Sequence, residues 1–234
     1  MWNGKKKAVT FSYDDGVTQD LYLVDIFNKY GLRATFNLNS GLFGNRNARI
    51  LNDRLVYRDR IFEEHVREIY MGHEVAVHTV HHPNLNECDD EKILREIREN
   101  RVRLSELVGY DVVGMAYPCC AVNDHVKAVT RDSGEVRYSR TVAATGSFEV
   151  PKNLFSFDCT ARNVSANLFE LAEEFLALEP DEPALFSVWG HSYELDMYRD
   201  YGRFEEFCKL ISGRDDIFYG TNCEVLLGFD NTKM

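Results

Sequence analysis

Residues 8–16 read Ala8-Val9-Thr10-Phe11-Ser12-Tyr13-Asp14-Asp15-Gly16. An apolar, β-branched and aromatic run stops at two adjacent carboxylates and a glycine. This is the pattern of a buried strand that delivers charge to the edge of a sheet. Two like charges side by side repel, and their place at the mouth of a core adds a desolvation cost. A cation beside them, or a proton held by one of them, offsets both penalties. Asp-Gly is also a strong turn dipeptide, so a solvated turn explains the stretch taken alone.

The rest of the chain alternates between strand and helix patterns. Thr18 is placed to cap a helix carrying Leu23, Phe27 and Tyr30, which Gly31 ends. A strand over 33–38 follows. The polar segment from Asn39 to Arg60 is long for a connection, and such loops are often functional. A short helix is expected over 61–71, and then a strand over Glu74–Val77. Asp89 and Asp90 open a long helix that Gly109 closes. Strands are expected over 111–116, 136–138 and 184–189, a short one within 148–157, and the last near 217–219 and 223–227. The helices between them cover 122–132 and the runs marked by Leu168, Leu171, Phe175 and Leu178 and by Phe204, Phe207 and Ile211. This alternation implies an α/β fold with a parallel sheet and outer helices, open or closed into a barrel. Asp14-Asp15, His78, Tyr117 and His191 each follow the C-terminal end of an expected strand, the ends that converge on one face in such folds.

The chain has 234 residues and a net charge of -11. With no linker-like or low-complexity tract and no repeat, a single domain over 1–234 is expected. The acidic balance excludes partners that need clustered Lys and Arg, so no nucleic acid and no membrane surface is expected. No apolar segment long enough for a signal peptide follows Lys5-Lys6-Lys7, which leads to the expectation of a cytoplasmic protein. The six cysteines include no Cys-x-x-Cys pair and read as free thiols.

His78-Thr79-Val80-His81-His82-Pro83 adds the chemistry. His78 and His82 are four residues apart, so a helical turn or a tight loop aims both imidazoles the same way. With a carboxylate from the Asp-Asp turn they form a three-ligand metal set that leaves positions open for water. His81 is the weaker ligand candidate and is placed as outer support for the site. His65, His73 and His125 read as structural or surface residues. Cys119 and Cys120 lie near the expected cleft, but nothing in the sequence activates either thiol.

These two stretches resemble the first two motifs of the polysaccharide deacetylases, carbohydrate esterase family 4. The family's motifs are Thr-Phe-Asp-Asp-Gly and His-Ser/Thr-x-x-His. His191, after an apolar strand, resembles the final motif. The resemblance implies a distorted (β/α) barrel with about seven parallel strands. It also implies that Asp15, His78 and His82 hold one divalent metal ion, that Asp14 is the general base and that His191 is the general acid. The backbone N–H of Tyr117 would bind the oxyanion. Zinc suits the ligand set, and manganese, cobalt, nickel or iron can occupy the same ligands. The implied partner is a small-molecule or oligosaccharide substrate carrying an N-acetyl group, with an unknown oligomeric state.

Two features of the family pattern are missing. The third motif carries an arginine that orients the base, whereas Gly114-Met115-Ala116-Tyr117-Pro118-Cys119-Cys120 has none. The Asp-Trp that supports the acid is also not evident. Phe157-Asp158-Cys159 lies near the expected place, and Arg162 is placed as a substrate-binding residue entering the cleft from the other side. Trp189 and Tyr193 flank His191 as an apolar wall, and Glu194 is a candidate partner of His191. The gaps leave open hydrolysis of another C–N bond, such as that of a cyclic ureide or imide, and a non-catalytic carbohydrate-binding relative.

Overall fold

The structure is a computed structural model and describes residues 2–119 and 122–233. Strand β1 (Lys7–Asp14) is buried along its whole length, as a strand covered on both faces must be. Helix α1 (Asp20–Lys29) leads to β2 (Ala34–Leu38), and β3 (Ala48–Leu51) and β4 (Arg54–Tyr57) form an antiparallel hairpin. Next come α2 (Val66–Ile69), β5 (Glu74–Val77), α3 (Asp90–Val108), β6 (Gly114–Ala116), α4 (Asp124–Ser133) and β7 (Tyr138–Ala144). The chain continues through β8 (Phe157–Cys159), β9 (Ala161–Arg162), α5 (Leu168–Ala177) and β10 (Ala184–Gly190). It ends with α6 (Tyr193–Tyr198), α7 (Tyr201–Ile211), β11 (Ile217–Tyr219) and α8 (Asn222–Leu227).

The parallel sheet runs β8-β7-β6-β5-β2-β1-β10-β9, with β11 on the first half of β1. Its two edge strands are consecutive in the chain, separated by Thr160 alone. At that seam Thr160 N donates to Ser187 Oγ at 3.0 Å, and Gly146 N donates to Thr160 O at 2.9 Å. Counting β8 and β9 as one interrupted strand gives the seven positions expected of a barrel-like fold, and among the described residues no ladder joins the two edges. Phe11, Tyr13, Phe27, Phe36, Phe204 and Phe207 fill the space between β1, β2, α1 and α7. The Phe11 and Phe27 ring centroids are 4.7 Å apart.

Three expectations change. The run 223–227 is helix α8, because Thr221 and Glu224 form a reciprocal capping box that a strand could not use. The segment 39–60 contains the β3–β4 hairpin. The strand expected to stop at Tyr138 instead starts there and continues to Ala144, with consequences for the site.

At the end of the sheet opposite the functional residues, Glu74 is fully buried. Its carboxylate accepts from Thr35 Oγ1 (2.8 Å), Tyr138 Oη (3.0 Å) and Cys223 N (2.9 Å). Burial outweighs these donors and pushes its pKa up to about 7. Glu74→Ala strands three buried donors, so it is expected to lower unfolding free energy by about 2–3 kcal/mol in urea titration. A loss below about 0.5 kcal/mol would show that the network does not hold α8 to the sheet.

Candidate active site

Register brings the functional residues together. Tyr13 pairs with Gly190, so Asp14 and His191 are the next residues on neighbouring strands. Leu38 pairs with Val77, which places His78 one strand further, and Val77 pairs with Met115. Ala116 pairs with Arg140. In a parallel sheet this alignment gathers residues distant in sequence at one set of strand ends.

The Asp14-Asp15 turn is strained. Asp15 has φ 85°, a left-handed conformation that costs a non-glycine residue about 1–3 kcal/mol. Gly16 follows at φ +62°, and a Cβ there would lie 2.9 Å from Leu38 Cδ2. The two carboxylates therefore point to different partners. Asp14 forms a close two-oxygen ion pair with Arg140 Nη2 and accepts from Asn37 Nδ2 at 2.9 Å. Arg140 is fully buried, donates to Ser12 Oγ at 3.0 Å and to Thr141 O at 2.6 Å, and lies 4.8 Å over the Trp189 ring. Burial alone would raise the Asp14 pKa, but Arg140, with His78 and His191, outweighs it and holds the group below the ordinary aspartate value. The third motif has no arginine, and the guanidinium that pairs with Asp14 comes from β7.

Asp15 faces the histidines. Its Oδ1 lies 3.6 Å from His82 Nε2 and 4.0 Å from His78 Nε2, and one ligand atom from each of the three residues lies within 4.8 Å of the others. The loop 78–82 is tight, not helical, with Thr79 at φ 66° and His82 at φ 57°. Thr79 Oγ1 accepts from His82 N at 3.1 Å and helps to hold that turn. His78 Nδ1 sits 2.8 Å from Ala116 O, which assigns the proton to Nδ1 and leaves the Nε2 lone pair toward Asp15. Burial lowers the His78 pKa to about 4, so the ring is neutral, as a ligand must be. Asp15 Oδ1 is buried and accepts no well-formed hydrogen bond, its nearest cation being Arg60 Nη1 at 3.1 Å, so its lone pairs are open to a metal ion. The residues therefore fit a divalent ion, and a set of two nitrogens and one oxygen suits zinc.

His81 turns away. Its Nδ1 lies 2.8 Å from Glu96 Oε1, its N donates to Glu96 Oε2 at 2.8 Å, and its side chain is 63% exposed. It pins the loop to α3. Cys119 Sγ is 3.5 Å from His82 Nδ1, and Cys120 lies outside the described residues.

His191 is partly buried between Trp189 and Tyr193, with ring centroids at 6.1 and 4.9 Å. Glu194 Oε2 accepts from His191 N at 3.0 Å, and Oε1 lies 3.6 Å from His191 Nδ1. That second separation is beyond a hydrogen bond, so the attraction is between charges. Burial would lower the His191 pKa, but Glu194, Asp15 and Asp14 outweigh it and raise it. Glu194 is thus the carboxylate nearest His191 in the sequence reading and in the structure alike. Arg162 joins the group through its Nη2 contact to Glu194 Oε1 at 2.5 Å, and stacks 5.2 Å from the Trp189 ring. Asp158 is bound by Thr141 Oγ1.

Tyr117 departs from its implied role. Its N–H donates to Arg140 O at 3.0 Å as part of the sheet, and its hydroxyl donates to Phe155 O at 3.1 Å. A donor engaged in a ladder is not free for an oxyanion, so this assignment is corrected.

The loop 39–60 contributes residues that the motifs do not include. Arg58 Nη2 contacts Asp15 Oδ2 at 2.8 Å, and Arg60 Nη1 lies 3.1 Å from Oδ1 and also binds the Asp15 carbonyl. Arg58 stacks on Tyr193 at 4.3 Å. The nearest sequence signal for these residues is the Arg-rich composition of an overlong loop.

A sequence profile of the polysaccharide deacetylases matches residues 2–136. No curated protein matches the chain. The structure of the chitin deacetylase from Colletotrichum lindemuthianum is similar, with TM-score 0.59 and 20% identity, over 95% of this chain and 88% of that one. The deacetylase PplD from Streptococcus pyogenes aligns with TM-score 0.56 and 21% identity over 66% of this chain. The match spans 64% of that chain, less than two thirds of its length. A carbohydrate esterase family 4 pseudoenzyme from Bacillus anthracis aligns with TM-score 0.54 and 14% identity, over 94% of this chain and 66% of its own. Likeness at these identities is one of fold. The profile, by contrast, covers more than half of the sequence and includes both the Asp14-Asp15 turn and the His78–His82 loop. The chain belongs to the polysaccharide deacetylase family.

Proposed function

We propose that the protein is a metal-dependent hydrolase that removes the acetyl group from an N-acetylated sugar or oligosaccharide. The observation that carries this reading is the pairing of two proton-transfer groups with opposite environments beside the Asp15-His78-His82 set. Arg140 holds the Asp14 pKa below its ordinary value, and Glu194, Asp15 and Asp14 raise that of His191. Pairs of titratable groups pushed in opposite directions mark acid and base roles. A carbohydrate- or metal-binding module requires neither dyad. Arg140 beside Asp14 and Glu194 beside His191 support the proposed roles of base and acid.

A divalent ion held by Asp15, His78 and His82 would supply Lewis acidity toward the amide carbonyl and the attacking water. Asp14 takes a proton from that water as its oxygen bonds to the acetyl carbon. Arg140 and Asn37 keep the carboxylate oriented through this transfer. His191 then gives its proton to the sugar nitrogen as the C–N bond breaks, releasing acetate and an amine. Glu194 stabilises the imidazolium before the transfer.

The test is acetate release by zinc-loaded protein, across pH, from a panel of neutral and anionic N-acetylated sugars that includes chitooligosaccharides. Activity is expected to fall as pH rises through the His191 pKa, which lies above the ordinary value of 6.5. His191→Ala should lower turnover by about 10²-fold or more and flatten that alkaline limb. No acetate release with any of zinc, manganese, cobalt, nickel or iron would overturn the proposal. An alkaline limb that survives His191→Ala would remove His191 as the acid.

A further inference from the structure

We propose that the sugar accepted by this site carries an oxyanion, a carboxylate or a phosphate, close to its acetylated amine. The inference rests on the deacetylase reading for the identity of that amine and concerns what else the substrate bears.

The chain as a whole is acidic, with net charge -11, yet the charge balance reverses at the cleft. Among the described residues, the network built on Asp14, Asp15 and His191 contains three carboxylates, Asp14, Asp15 and Glu194. Four guanidinium groups face them, from Arg58, Arg60, Arg140 and Arg162. A divalent ion on Asp15 and two neutral imidazoles would add two further positive charges. Arg140 suffices to hold Asp14. A carboxylate that gives one oxygen to a divalent ion needs no two arginines to neutralise it, so Arg58 and Arg60 become surplus positive charge once the ion is present.

Two of these arginines lie beside the proposed proton donor. Arg58 stacks on Tyr193 at 4.3 Å, and Arg162 stacks on Trp189 at 5.2 Å. Both rings flank His191, with centroids at 4.9 and 6.1 Å. The sugar nitrogen carries positive charge while it takes the His191 proton and the C–N bond breaks, and it does so next to these guanidinium groups. For a neutral sugar that arrangement is repulsive. A sugar oxyanion offsets the repulsion and meets donors whose planar fork matches carboxylate and phosphate. Arg162 is the more open of the two, with a side chain 42% exposed against 16% for Arg58.

The experiment is calorimetric titration of the zinc-loaded protein with three probes: N-acetylglucosamine, N-acetylglucosamine 1-phosphate and N-acetylmuramic acid. At least one charged sugar is expected to bind about tenfold or more tightly than the neutral one. The phosphate and carboxylate arms distinguish the two anions. The preference should shrink as salt rises from about 50 to about 500 mM, because a partly exposed contact is screened. Arg162→Gln should reduce it to within about threefold, and Arg58→Gln should weaken it independently. Equal affinity for all three sugars, or a preference that survives both substitutions, overturns the proposal. Retained preference for a charged sugar with no acetate released would count against the deacetylase reading and leave the anion site standing.

Discussion

Arg140→Met is expected to destabilise the protein by about 3–5 kcal/mol and to lower turnover by about 10²-fold or more. The side chain is fully buried and Asp14 is only 2% exposed, so removing the guanidinium leaves a carboxylate out of water with Asn37 Nδ2 as its remaining close donor. The group then protonates, and a protonated Asp14 cannot accept a proton from water. The surviving activity should show an acid limb moved to higher pH, because Arg140 holds the Asp14 pKa below its ordinary value in the parent. The double variant Asp14→Asn with Arg140→Met removes both charges. It should recover most of the lost stability, since a buried pair replaced as a unit costs little, and should stay inactive. Denaturant titration of the single and double variants reads the first effect, and acetate release reads the second. Arg140→Met within about 1 kcal/mol of the parent would show that Asp14 does not depend on it.

The second large effect concerns the ion. His78→Ala and His82→Ala each remove one of three candidate ligands, so each should weaken zinc affinity by more than the 10–100-fold that loss of an outer partner typically costs. His81→Ala should fall within or below that outer-partner range, because its ring is bonded to Glu96. Zinc content after dialysis against a competing chelator reads the difference without reference to any substrate. Fold should survive in the His78 variant. The change leaves Ala116 O without its 2.8 Å side-chain partner, a cost of about 1–3 kcal/mol. Stoichiometric zinc in both the His78 and His82 variants would show that the ligand set is wrong.

Much of this site follows from local patterns. A buried strand ending in Asp14-Asp15-Gly16 and two histidines four residues apart are short-range signals, and each sets its own geometry within a few residues. Glu194 is legible for the same reason, three residues from His191. Arg140 is not. It lies on a strand expected to end at Tyr138, and its sequence neighbours give no sign that a charged residue there is interior. The available hint was a deficit: Asp14 needed a cation and the third motif offered none.

The sequence alone determined the alternation of strands and helices and the set of strand ends that carry Asp14-Asp15, His78 and His191. Those follow from periodicity and from turn and capping residues, which act over a few positions. The tertiary structure decided which arginine meets Asp14, because Ala116 pairs with Arg140 only once β6 and β7 are in register. It decided that the Tyr117 N–H belongs to the sheet, and that Arg58 and Arg60 reach Asp15 from 43 and 45 residues away. Charge pairing acts through space and is indifferent to sequence separation. It therefore becomes visible only when packing has fixed which ends of the chain lie side by side.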